Sequence, residues 1–323
     1  MTIENSGRRG RPPRNRVEML RTRVLMEKVC AYAGIDVKGY QCERLFEPGT
    51  ITRKDDGTRM RSCKWDRYLL GTHSPSPQTL KKVYDHMSPS QAKALQVFYE
   101  HPMWVALAEG PLDADYWQRF YQSLPLSIQQ LIFKRNTSGS QPKSLKIIRD
   151  NTVQGLLRIW NHDAFACLLA LCRDKSATVD YQAQQSLSFA VHKYVQYLLI
   201  CDFSHIPMLL WTYFEQVIVE DSRLSKYHLD LWQGGFEQTF RYAQAMLSFL
   251  LAAEDLGIVG SLKSQQLFLY WKLQGDTQLI NQELARAFND PHWVLPETKL
   301  GLNWLIATMN KHLAKHQQVS IRH

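Results

Sequence analysis

Along most of the chain apolar residues recur every three or four positions, the spacing of one helix face rather than the strict alternation of a strand. Residues Arg16–Ala33 set the pattern, with Val17, Leu20, Val24, Leu25, Val29 and Tyr32 on a broad face and Gly34 as the stop. Tyr40–Phe46 reads as a short second helix that ends at Glu47-Pro48-Gly49. Helical spacing resumes in CKWDRYLLG, stops at Gly71, and restarts after THSPSP with QTLKKVYDHM, where Leu80, Val83, Tyr84 and Met87 share a face. Beyond Ser88 the spacing predicts helices at Ser90–Tyr99, Trp104–Ala108, Asp113–Gln122, Leu126–Lys134, Ile147–Trp160, Asp163–Cys172, Tyr181–Cys201 and Met208–Val219. Four more follow at Phe236–Leu256, Ser261–Leu273, Gln278–Phe288 and Lys299–Lys315. Only the polar stretch GTITRKDDGTRMRS (Gly49–Ser62), with its Asp56-Gly57 turn signal, reads as a loop or small β-hairpin. The expectation is an all-α protein.

Residues 1–15 carry almost no large apolar side chains, and Pro12-Pro13 forbid a continuous helix, so they are expected to form a disordered tail. NTSGSQPK, residues 136–143, has the composition of a linker. The expected organisation is a tail (1–15), a small basic helical domain (16–88), a helical connector (89–135), the linker (136–143), and a larger helical domain (144–323). That last domain would be a bundle or an irregular helical array. LFLYW (Leu267–Trp271) and LGLNW (Leu300–Trp304) share L-x-L-x-W at a separation of 33 residues. Two copies are a coincidence that leucine- and aromatic-rich helices readily supply.

Charge changes this picture. The formal net charge is +9. Residues 1–82 hold 18 Lys+Arg against 9 Asp+Glu, whereas residues 83–323 hold 21 of each sign. A polyanion is thus the natural partner of the first quarter alone. The six cysteines, Cys30, Cys42, Cys63, Cys167, Cys172 and Cys201, form no C-x-x-C pair, and no apolar leader or acylation signal is visible. No segment approaches the roughly 18 apolar residues of a membrane span. A reduced, cytoplasmic setting without membrane contact is expected, nucleoid-associated if the protein is bacterial.

The stretch RRGRPPRNR places five arginines in residues 8–16. Its core, Arg9-Gly10-Arg11-Pro12, resembles the AT-hook, which lies along the minor groove of A·T-rich DNA. Gly10 lets the backbone approach the groove floor, Pro12 and Pro13 keep the chain extended, and Arg9 and Arg11 can enter a groove of strong negative potential. Arg8, Arg14 and Arg16 would then lie near phosphates.

Residues Cys63–Val83, CKWDRYLLGTHSPSPQTLKKV, resemble the second half of a lambda-repressor-like helix-turn-helix domain. In that family a helix ending in aromatic-x-x-Gly precedes a proline-bearing loop and a helix beginning T-L-x-x-V. Trp65, Tyr68 and Gly71 match the first part; Pro75 and Pro77 match the loop, and Leu80 and Val83 the next helix. The resemblance covers about twenty residues, and Gly49–Ser62 interrupts the tight turn the family has between its first two motif helices. It implies that Arg59, Arg61, Lys64 and Arg67 lie near the groove, with Lys81 and Lys82 at the backbone.

Phosphate-loop, nucleophile-elbow, zinc-protease and dinucleotide-binding signatures are missing from the sequence. The R-x4-6-H spacing of HEPN ribonucleases occurs at Arg67–His73, Arg223–His228 and Arg286–His292, close to what this composition yields by chance. His312 and His316 share a helix face without a third ligand, so no metal and no cofactor are expected. Trp160, Trp211, Trp232, Trp271 and Trp304 read as core, and His192, Lys193 and Gln196 as the exposed or inter-helix stripe of their helix. The expected function is non-enzymatic DNA binding, regulatory, architectural or tied to a mobile element, with the C-terminal half for oligomerisation or a protein partner. The alternatives are a helical effector enzyme such as a HEPN-like ribonuclease and a non-specific nucleic-acid-binding scaffold.

Overall fold

The fold is that of a computed structural model, which describes residues 15–53, 55, 59–109, 113–134, 144–159, 161–200, 202–203, 206–220, 222, 236 and 240. The described residues are mostly helical, and the chain divides into two compact units, Met1–Pro111 and Leu112–His323.

The first unit contains α1 (Arg16–Ala33), α2 (Gly39–Phe46), α3 (Lys64–Leu69), α4 (Pro77–Asp85), α5 (Pro89–Tyr99) and α6 (Met103–Ala106). Local chemistry fixes their ends. The Asn15 side chain accepts from Val17 N–H at 2.9 Å at the start of α1. At its end Gly34 turns left-handed (φ 63°), and the N–H groups of Gly34 and Ile35 donate to Ala31 and Cys30, the pattern a helix-terminating glycine permits. Ser76-Pro77 and Ser88-Pro89 open α4 and α5 with a serine cap and a proline in the first turn, and Ser88 with Gln91 forms a full capping box.

The core of this unit joins Leu25, Met26, Val29 and Cys30 of α1 to Cys42 and Phe46 of α2, Trp65 and Tyr68 of α3, Val83 of α4, and Leu95 and Tyr99 of α5. Trp65 is fully buried, stacks on Phe46 at 5.3 Å and meets Tyr68 edge-on at 5.7 Å. The thiols of Cys30 and Cys42 touch at 3.5 Å. Gly71 follows α3 with φ 72°, and an added Cβ there would lie 2.7 Å from the Met19 carbonyl oxygen. Both the conformation and the contact with α1 require glycine. The polar stretch after α2 holds a 3-10 turn (Pro48–Thr50) and a two-residue antiparallel ladder, Thr52 opposite Met60 and Arg53 opposite Arg59. The expected turn at Asp56-Gly57 lies outside the described residues.

The second unit contains α7 (Ala114–Ser123), α8 (Leu126–Ile132), α9 (Asp150–Ile159), α10 (His162–Arg173), α11 (Tyr181–Ile200) and α12 (Pro207–Tyr213), which continues as a π-helix over Phe214–Val219. Every residue of α10 from Ala164 to Arg173 is buried, so α10 is a central helix enclosed on all sides. It packs with α9 and α11, and α8 lies against both α9 and α10. The Tyr121 hydroxyl donates to Asp174 at 3.3 Å, and Asp174 also accepts from Ser176, tying α7 to the end of α10.

Several element bounds differ from the sequence expectation. The helix expected at Ile147 begins at Asp150, because Ile148 N–H donates to Thr178 and Asp180 N–H donates to Ile148, an isolated parallel bridge to Val179. The helix expected to reach Lys134 ends at Ile132, and Phe133 instead bridges to Leu145. Within the segment 89–135, α5 and α6 pack on α1, and α7 and α8 fall in the second unit. The linker expected at 136–143, the tail 1–14 and the helices expected beyond residue 240 lie outside the described residues.

Candidate nucleic-acid interface

α2 and α3 pack on one another, and α3 also packs on α1. Trp65 and Tyr68 anchor the inner side of α3, which leaves Arg67 on its exposed side. Lys81 is likewise exposed on α4, and neither Arg67 nor Lys81 makes an ion pair among the described residues.

Three of the other cationic residues expected at this surface, Arg61, Lys64 and Lys82, have internal partners. Lys64 Nζ lies 3.0 Å from both carboxylate oxygens of Glu47, and Lys82 Nζ lies 2.7 Å from one of them. Trp65 Nε1 donates to the same carboxylate at 3.1 Å. Arg61 pairs with Asp66 and lies 3.5 Å from the fully buried carboxylate of Glu43. Glu43 also accepts from Thr50 Oγ1 at 2.9 Å, Ser62 N–H at 3.0 Å and Ser62 Oγ at 2.7 Å. Three cations and three carboxylates thus cancel where α2, α3 and α4 meet.

Burial on its own would push the Glu43 and Glu47 carboxyls up. For Glu43 the donors of Ser62 and Thr50 and the Arg61 charge outweigh it; for Glu47 the Lys82 and Lys64 ammonium groups do so. Both are therefore held below the ordinary carboxylate range and stay ionised.

Arg16 is paired as well, its Nε 3.0 Å from Glu109. Arg59 sits in the ladder opposite Arg53, and Arg8, Arg9, Gly10, Arg11 and Arg14 lie outside the described residues. Sequence reasoning missed Glu43, Glu47, Thr50 and Ser62. The available signal was the i, i+4 spacing of Glu43 and Glu47, each directly after a core residue, Cys42 and Phe46, which sets both carboxylates at the edge of a buried face.

Among the described residues no group of three His, Cys, Asp or Glu stands close enough to hold a metal. Arg67 and His73 are both exposed, and the other R-x4-6-H pairs and His312 and His316 lie outside the described residues. Trp211 is buried and His192 is 5% exposed, so His192 does not lie on an exposed side of α11. Burial lowers the Lys193 ammonium pKa on the same helix. A cleft of about 480 Å³ in the second unit is lined by Lys134, Lys146, Gln118, Ser144 and Thr178, with no His, Cys, Asp or Glu in its wall. No helix among the described residues is long and apolar enough to cross a membrane. No protein-family model, curated protein or solved structure matches the chain.

Proposed function

We propose that the first unit binds DNA, with Arg8, Arg9, Gly10, Arg11 and Arg14 as an arm along an A·T-rich minor groove and α3 presented to the adjacent major groove. The observation that carries this reading is that Arg67 and Lys81 on α3 and α4 are exposed and make no ion pair among the described residues, in the quarter of the chain that holds the whole +9 excess. Arg67 is the side chain for base or phosphate contact, and Lys81 supplies a phosphate contact. Arg59 and Arg53 border the same connection between α2 and α3. Arg61, Lys64 and Lys82 hold the frame by neutralising Glu43, Asp66 and Glu47, and Arg16 anchors α1 to Glu109. The role is regulatory or architectural and non-enzymatic, exercised inside the cell; the second unit provides self-association or a protein contact.

Fluorescence anisotropy with A·T-rich duplex, G·C-rich duplex and single-stranded RNA tests this on the full chain, on Arg9→Ala/Arg11→Ala and on Arg67→Ala. An A·T preference that disappears in the double variant is expected. Arg67→Ala is expected to make the slope of log affinity against log salt shallower by about 0.9, the value of one phosphate neutralised on duplex DNA. Equal affinity for duplex, RNA and heparin would replace this reading with that of a non-specific scaffold. RNA cleavage abolished by His228→Ala or His292→Ala would replace it with that of a nuclease.

A further inference from the structure

Two lysines meet one carboxylate at Glu47. The Glu47 side chain is 4% exposed, whereas those of Lys64 and Lys82 are 35% and 51% exposed. The carboxylate therefore faces inward and its counter-ions reach it from the solvent side. A phosphate arriving at this surface would have to take those ammonium groups from Glu47. It competes at a disadvantage, because withdrawing both lysines would leave an ionised carboxylate buried with only the Trp65 N–H to satisfy it, among the costliest changes a fold can undergo. Arg67 and Lys81 carry no such obligation.

We infer that Glu47 sets how much positive charge this unit offers to a polyanion, by retaining Lys64 and Lys82 as internal counter-ions. The inference rests on the nucleic-acid reading above and names the residue that limits its phosphate contacts. Attraction to phosphate is blind to sequence, so each lysine withheld from the backbone lowers binding to every duplex equally. Discrimination is left to the arm and Arg67. Glu47 thereby lowers specific and non-specific affinity alike and leaves their ratio unchanged.

The salt dependence of binding reads this directly, since each phosphate neutralised adds about 0.9 to the slope. Glu47→Gln keeps the shape and an acceptor for Trp65 but removes the charge that holds the lysines. In the full chain, titrated with an A·T-rich and a mixed-sequence duplex, it is expected to steepen the slope by up to about 1.8. Between 50 and 200 mM salt that is roughly a tenfold greater loss of affinity than in the wild type, with the ratio between the two duplexes unchanged. The triple variant Glu47→Gln/Lys64→Gln/Lys82→Gln buries no unpaired charge, so it reports even if the single variant fails to fold. It is expected to keep the wild-type slope.

A triple variant whose slope is shallower by about 1.8 would place both lysines on phosphates in the wild type and overturn the inference. So would a folded Glu47→Gln chain with the wild-type slope, the nucleic-acid reading surviving in either case. A wild-type chain without affinity for any duplex overturns that reading, and this inference with it.

Discussion

Replacing Gly71 by alanine probes the joint between α1 and α3. Two costs arise, and the structure separates them. At φ 72° a side-chain-bearing residue is held left-handed, at about 1–2 kcal/mol. The new Cβ would also lie 2.7 Å from the Met19 carbonyl oxygen and 2.9 Å from Arg23 Cγ. The arginine methylene can turn aside, but the carbonyl belongs to the α1 backbone, so the helices must separate. Forcing such an overlap costs about 1–3 kcal/mol, for a total of about 2–5 kcal/mol. Gly34 supplies the control: it is also left-handed, at φ 63°, but nothing lies within 4 Å of its added Cβ. Gly34→Ala should therefore cost only the conformational part, about 1–2 kcal/mol. Native-state hydrogen exchange of α1 and α3 peptides in the full chain measures both without assuming that the two units unfold together. Equal losses in the two variants would refute the claim that the Met19 carbonyl confines position 71, and so would Gly71→Ala with unchanged α1 protection.

Three further outcomes follow from the packing and the buried charges. Glu43 and Glu47 have folded-state pKa values below the ordinary 4.5, so their stabilisation is complete above about pH 4.5 and is lost as pH falls through the folded values. The thermal midpoint should hold between pH 7 and 5 as far as these groups govern it, then drop, and drop less in Glu43→Gln/Glu47→Gln; equal drops would acquit the pair. Trp65→Phe keeps a ring against Phe46 but removes a donor from Glu47, costing about 1–3 kcal/mol, and combining it with Glu47→Gln should cost less than the sum, as a double-mutant cycle will show. Leu168→Ala in the enclosed helix α10 should lower exchange protection there by about 2–5 kcal/mol, and a loss below about 1 kcal/mol would mean that α10 is not central.

The all-α architecture was legible because its determinants are local. Asn15 and Gly34 bound α1 by hydrogen bonds that span at most a few residues, and Trp65, Tyr68 and Val83 fall in the core as their spacing predicts, with Leu80 partly buried against it. What escaped is non-local. The spacing places Ile148 in a helix, but its bridge partner, Val179, lies beyond α9 and α10 in the chain, and the contact between Cys30 and Cys42 needs the turn between α1 and α2. The charged surface shows the same limit more sharply. Counting charges located the basic quarter, but it could not reveal that Glu47 takes Lys64 and Lys82 from 17 and 35 residues away. Nor could it tell Lys82, which is paired, from its neighbour Lys81, which makes no ion pair among the described residues. Pairing depends on where α4 crosses the end of α2, and no periodicity encodes that crossing.

The partners of α1 also bear on how the first unit is made. Arg21 Nε donates to the Tyr99 carbonyl at 2.6 Å, its guanidinium lies 4.0 Å from the Tyr99 ring centroid, and Lys28 sits over Phe98 at 4.7 Å. The Arg16–Glu109 pair spans 93 residues of chain. The helix synthesised first is thus secured by the residues synthesised last. At translation rates of about 5–20 residues per second, α1 waits roughly 4–20 s for α5 and Glu109 to emerge. Through that interval Leu20, Val24, Leu25 and Val29 have no finished core to enter, so the nascent chain is most vulnerable to aggregation before residue 99 leaves the ribosome. A ribosome stalled short of that point would hold a first unit that cannot close.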